Sequence, residues 1–255
     1  MIAAGSLEYA LARMQARLGR RPPEGAWRSI EQSRGIEPIL EFCRETSLQP
    51  VATQLSAAHG LHAIDLAIRE GWRRAVGEAL EWMPAEFASA LDWLRVLPLL
   101  PALAHLARGG EAGAWMRADA DLAEVGATAV DERGATVARG FLAPLSPAWS
   151  TPGDLAQAWR REWERRLPPA SLRDTALASL VNDIERHLAR FHAAGAHEAP
   201  QLRRDLEARL VAAFRRHSLE PAAAFAWLGL TALDLERLRG ELARRIAFPH
   251  ARWVT

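Results

Sequence analysis

The segment LTALDLERLRGELARRIAFPHARW, from Leu230 to Trp253, places Leu235, Leu238, Leu242 and Ile246 along one helical face, with arginines and glutamates on the other. A period of three to four residues belongs to an amphipathic helix, and a chain dominated by it must bury helix against helix. That period recurs along most of the sequence. In SLEYALARMQARLG, Ser6 is placed to cap a helix, Leu7, Ala10, Leu11, Met14 and Leu18 form its apolar face, and Gly19 ends it. Further helices are expected at about Ala26 to Arg34, Ile36 to Thr46, Pro50 to Ala58 and His62 to Trp82. A helix near Ala85 should be kinked or split by Pro98 and Pro101. Helical spacing resumes over Leu155 to Leu167, Ser171 to Phe191, Ala199 to His217 and Pro221 to Leu228, followed by the final segment. Between Gly109 and Pro152 the pattern weakens, and VGATAVDERGATVARGFLA fits either two short strands about DERG or short alanine-rich helices.

The fold class read from this pattern is all-α. A chain of 255 residues with 49% hydrophobic and 25% charged content is long enough to bury a sizeable core without disulfides or metals. The single cysteine, Cys43, fits a reducing compartment, no uninterrupted apolar run has the length of a membrane span, and the start lacks a secretory layout, so a cytoplasmic location is expected. All 32 basic residues are arginine. Schiff-base chemistry, a lysine general base and the lysine of a phosphate-binding P-loop are thereby excluded. A formal charge of +1, with arginine pairs balanced by nearby glutamates, gives no basic footprint for nucleic acid.

Each chemical motif has a structural counterpart that explains it as well or better. In DLAQAWRREWERRLP, Leu155, Trp159, Trp163 and Leu167 form a stripe beside Arg160, Arg161, Arg165 and Arg166. Such interleaving can bind single strands, but it reads first as a core stripe with solvated arginines. His59, His62 and Asp65 in HGLHAID have the spacing of metal ligands, yet Gly60 between the histidines marks a helix start. His187, His192 and His197 read as surface residues. Cys43 in EFCRETS reads as a packed thiol, and Asp119 with Asp121 as loop carboxylates lacking an apolar pocket. No catalytic constellation, cofactor site or metal site is expected.

Three stretches suggest an internal repeat: WLRVLPLLPALAHLARGG, ASLVNDIERHLARFHAAG and WLGLTALDLERLRGELARR. The chain also resembles a known family. Tyr9, Ala12 and Arg13 in LEYALARMQARLG meet a Tyr-x-x-Ala-Arg core, and the helix ending ILEFCRETSLQPVATQL closes on Glu45 and Thr46. These resemble the opening of the C-type subunits of V-type ATPases, the d-type subunits of eukaryotes, which form the central-stalk socket on the membrane rotor ring. FAWLGLTALDLERLRGELARRIAFPHARW is similar to that family's final helix, and LDWLRVLPLLPALAHLARG and SLRDTALASLVNDIERHLARF to its repeat helix. Two departures stand out: the chain is short, and Pro98 and Pro101 occupy positions where acidic and amide residues are common.

The resemblance implies three related helical bundles in a funnel-like arrangement with a central cavity, divided at about 1–110, 111–195 and 196–255, the third completed by N-terminal helices. It implies a non-catalytic coupling subunit of a V-type rotary ATPase, linking the central-stalk subunits to the membrane rotor ring for ion transport. Such a protein would be peripheral on the inner membrane through the complex, with no span of its own. Arg186, Arg237 and Arg244, which lie off the apolar stripes of their helices, are the candidate partner contacts. The alternative is a helical adaptor or regulatory binding module of unrelated origin.

Overall fold

The computed structural model describes residues 6–171, 174–195 and 197–248. In chain order the helices are α1 (Leu7–Leu18), α2 (Glu24–Gln32), α3 (Ile36–Arg44), α4 (Gln49–Ala52), α5 (Leu61–Trp82), α6 (Ala88–Trp93) and α7 (Leu100–Ala107). They continue with α8 (Ala114–Ala118), α9 (Ala123–Ala127), α10 (Arg133–Arg139), α11 (Leu155–Arg166), α12 (Thr175–Ala193), α13 (Ala199–Arg216) and α14 (Pro221–Ala247). Helix, with the 3-10 stretches counted, accounts for 76% of the described residues and there is no strand among them, so the protein is all-α. The strand alternative around DERG is not adopted: α9 and α10 occupy that stretch.

The chain divides into two units, one of Met1–Ala85 with Pro169–Thr255 and one of Glu86–Pro168. These boundaries differ from the three expected from the sequence, because α14 draws both chain ends into a single unit. In that unit α14 packs against α13, α5, α1, α12 and α3. Its first turns, Ala222 to Leu228, are buried on every side, and Leu230, Leu235, Leu238 and Leu242 continue the core. A helix hydrophobic all round must be enclosed by other helices.

Local signals explain the helix ends. The Ser6 hydroxyl accepts the Tyr9 amide at 3.2 Å, as an N-cap should, and Asp174 caps α12 by accepting from Ala176 and Leu177. Gly60 is the N-cap of α5. The break expected between Leu228 and Leu230 does not occur. A Cβ on Gly229 would lie 3.1 Å from Leu210 Cδ1, so this glycine serves the close approach of α13 and leaves α14 continuous.

The smaller unit is built on the segment that Pro98 and Pro101 divide: α6 passes through a 3-10 stretch, Leu94–Leu99, into α7. By length and composition Ala85–Ala107 is apolar enough to cross a membrane, but half of it is buried within the protein. The three repeat stretches therefore differ locally, since the first is broken while α12 and α14 run unbroken. Opposite the broken segment lies α11, whose Leu155 and Trp163 are buried together with Leu167 just beyond its end. The tryptophan stripe is a core stripe. Trp93 Nε1 donates to the Trp159 carbonyl at 3.0 Å and Trp159 Nε1 returns a bond to the Trp93 carbonyl at 3.3 Å, so each indole satisfies its only donor on the other's backbone.

Two glycines of α5 provide a test. A Cβ on Gly71 would lie 2.5 Å from Cγ2 of the buried, β-branched Val51, whereas one on Gly77 would meet nothing within 4 Å. Gly71→Ala is expected to destabilise the protein by about 1–3 kcal/mol despite alanine's better helix propensity, and Gly77→Ala to stabilise it by about 0.5–1 kcal/mol. Urea denaturation of both variants checks the difference in sign.

Candidate functional site

Charged residues are buried in the larger unit where α14 meets the N-terminal helices. After α1, Arg21 turns inward and donates Nε and Nη2 to the two Asp234 oxygens at 2.6 and 2.8 Å, while Nη2 also reaches Glu207 on α13 at 3.0 Å. Burial works against the charge on Arg21, but the bonds and field of Asp234 and Glu207 outweigh it and hold the guanidinium above arginine's ordinary pKa. Burial pushes the Asp234 carboxyl upward, and Arg21 pulls it part of the way back. Three residues along α14, Arg237 donates to Glu24 at 2.9 Å and Glu31 at 2.8 Å, carboxylates from the two ends of α2, and its guanidinium lies 4.7 Å from the centre of the Trp27 ring. Arg245 completes the series. It donates to the carbonyls of Ile30 at 2.5 Å, Ser33 at 2.9 Å and Glu31 at 3.3 Å around the C-terminus of α2, where the Ser33 amide already reaches Ile30 at 3.1 Å.

Beside these pairs lies a recess of about 650 Å³, its open mouth included, walled by the end of α1, the break after α3, α5 and α14. Arg17, Arg20, Arg21 and Arg74 line it against two carboxylates, Glu78 and Asp234. Arg17 bridges to both oxygens of Glu78 and sits over Trp82 at 5.9 Å, next to Arg13 at 5.3 Å. Of the residues that carry the family resemblance, Arg13 is therefore stacked on an α5 tryptophan. Thr46 lines the recess while its hydroxyl donates to the Cys43 carbonyl at 2.9 Å and accepts the Leu48 amide at 3.2 Å.

The three arginines proposed from the sequence as partner contacts are not gathered into one site, and none lines the recess. Arg186 is exposed on α12 and pairs with Asp183 of its own helix at 2.5 Å. Arg237 is buried in the clamp on α2. Arg244 pairs with Glu241 at 2.6 Å and approaches the Glu31 carbonyl at 3.5 Å, so Arg237 and Arg244 share Glu31 but face a neighbouring helix of the same unit. A position off the apolar stripe suggests water or a partner. For Arg237 that expectation fails, because α14 is enclosed on its polar side as well.

The remaining motifs are placed separately. His59 accepts the Ser56 amide at 3.2 Å and Asp65 pairs with Arg239 at 2.7 Å, so HGLHAID is not a convergent ligand set. Among the described residues no group of three or more His, Cys, Asp or Glu side chains has a metal-holding arrangement. His187 is half-buried against Phe191, with ring centres 5.9 Å apart, and burial followed by the fields of Arg209 and Arg190 lowers its pKa. Cys43 is fully buried, and desolvation with a contribution from Asp234 pushes its thiol up to about 12. It is a protonated core side chain at neutral pH. Asp119, expected as a loop carboxylate, is buried and accepts the Asp121 amide at 3.1 Å. In the smaller unit, Glu162 accepts from Arg165 and Arg166 at 2.7 Å, and Arg166 lies 4.4 Å from the Trp93 ring centre. The arginines beside the tryptophan stripe are thus partly engaged in holding it.

No family model matches this chain, and no curated protein or solved structure matches it either.

The clamp has a signature in pH. The hydrogen bond from Arg237 lowers the Glu24 pKa below its ordinary 4.5, against a smaller opposing effect of burial. A depressed carboxylate contributes stability that is complete above its unfolded value and disappears as pH falls through its folded value. Arg237→Gln should cost about 2 kcal/mol near pH 7, below the usual figure for a buried pair because Glu24 and Glu31 are partly solvated. The difference from wild type should shrink as pH is lowered from about 5 to about 3. Urea denaturation across that range checks both expectations.

Proposed function

We propose that this protein is a non-catalytic coupling subunit of a V-type rotary ATPase, joining central-stalk subunits to the membrane rotor ring and located at the membrane through that complex. Support comes first from the resemblance of the opening helices and the final helix to the C-type socket family. The observation that carries the reading furthest is that these two distant stretches fold into one unit. Arg21, Arg237 and Arg245 fasten the N-terminal segment to α14 by side-chain bonds. A part that passes torque must resist relative movement of its own helices, and charge-assisted, multidentate bonds to a long buried helix supply that resistance. Such coupling acts by shape and contact and calls for no reacting group. Three related bundles about a central cavity form the finer arrangement within the same proposal.

On this reading Arg186 is the best placed of the three proposed partner contacts. Its side chain is 67% exposed and its bond to Asp183 is local, so it can exchange that partner for another at little cost. Arg237 is unsuitable as a binding probe, since Arg237→Glu would set a third carboxylate beside Glu24 and Glu31.

The test is binding of the purified chain to the stalk and ring subunits encoded with it, measured by calorimetry. The expected result is saturable binding that weakens several-fold when salt rises from about 0.05 to about 0.3 M, and weakens again in Arg186→Glu with helical content unchanged. Unchanged affinity in that variant removes Arg186 from the interface. Absence of wild-type binding to both stalk and ring overturns the rotary reading in favour of an adaptor with other partners.

A further inference from the structure

The recess of the larger unit has charge that its internal pairs leave over. Arg17 is neutralised by Glu78, and Arg21 by Asp234 and Glu207. Arg20 and Arg74 line the same recess from α1's end and from α5, both exposed, and neither side chain makes an ion pair or hydrogen bond among the described residues. The Ser47 amide donates to the Arg20 carbonyl at 2.8 Å, which ties the loop after α3 to the end of α1 and fixes two of the walls. The buried part of the lining includes the apolar Leu48, Val51 and Leu235, and Trp227 packed on Trp82 at 5.6 Å, beside Thr46 and the already paired Asp234. Exposed, unspent cationic groups beside buried apolar ones make the recess selective by its composition. A bare inorganic ion gains nothing from the apolar residues, an uncharged apolar molecule gains nothing from the guanidiniums, and a cation is repelled.

We propose that this recess binds a small organic oxyanion, a carboxylate or phosphate ester carried on an apolar body, with Arg20 and Arg74 as the guanidiniums that pair with it. Guanidinium presents two parallel N–H groups that match either oxyanion, and pairing partly shielded from water is stronger than at an open surface. Charged side chains beside apolar walls are the usual composition of a site that orients a small molecule. The site is independent of the rotary reading, since stalk or ring binding neither requires it nor excludes it.

Calorimetry on the full chain tests the proposal with phenyl phosphate, benzoate and inorganic phosphate as probes. Saturable one-to-one binding of phenyl phosphate or benzoate is expected, with inorganic phosphate bound at least about tenfold more weakly because it lacks the apolar body. The tighter of the two organic probes identifies the anion class. The double variant Arg20→Gln, Arg74→Gln should lose at least about tenfold in affinity, with circular dichroism and Tm unchanged because both side chains are exposed and unpaired. The single variants, each expected to lose part of the affinity, serve the same purpose if the double variant folds poorly. The proposal is overturned by absence of saturable binding of either organic probe to folded wild type up to about 10 mM, by unchanged affinity in the folded variants, or by inorganic phosphate binding as tightly as phenyl phosphate.

Discussion

The bidentate pair between Arg21 and Asp234 is the constraint on which the larger unit is arranged. Helix α14 is enclosed by helices from both ends of the chain, so its polar residues cannot be left to water. An ionised carboxylate in such a place is tolerated only when paired and hydrogen-bonded. Arg21 meets that need and, through Glu207, binds α13 in the same fork. Position along α14 then determines what comes next: Arg237 takes hold of both ends of α2, and Arg245 closes its C-terminus. The N-terminal segment is thereby fixed in register on the final helix by multidentate bonds from three arginines.

The all-arginine composition matters here. Arg245 satisfies several carbonyls at once, and in the smaller unit the buried Arg133 does likewise, donating to Gly110 at 2.7 Å and to Leu106 and Thr128 at 3.3 Å. Guanidinium has five donors in a fixed plane, whereas an ammonium has three on a flexible stem. Both arginines serve the places where short helices end inside the protein, and the smaller unit, with its many short helices, has several such ends. In this protein arginine is as much an internal connector as a surface charge.

What can be read from the sequence follows from which forces act locally. The apolar spacing of α1, α5 and α11, the Ser6 cap, the division at Pro98 and Pro101, and the packed state of Cys43 all depend on residues close in the chain, and each is legible there. Gly229 reads as a break in sequence because the reason for it, Leu210, lies on another helix. The division into units escapes the sequence for a similar reason, since the enclosure of α14 by both chain ends is a non-local property. Arg237 shows the limit most plainly: off the stripe of one helix, it is inside the stripe of another. A signal is present in Glu24 and Glu31, two carboxylates on α2, and in the run from Ala222 to Leu230, too apolar all round for a helix with a free side. The recess draws on α1, the loop after α3, α5 and α14, and no single stretch announces it.

The central claim is that α14 and the N-terminal segment are held together by specific buried pairing and not by apolar contact alone. A double-mutant cycle on Arg21→Met and Asp234→Leu measures this most directly, because the double variant replaces the pair with apolar groups of similar volume. The account predicts a coupling energy of roughly 2 kcal/mol or more, with Arg21→Met much less stable than the double variant because it strands the buried Asp234 carboxylate, and a smaller loss in Asp234→Leu, where Arg21 keeps Glu207. Coupling near zero, with the single losses adding to give the double, would mean that the pair does not fasten the unit.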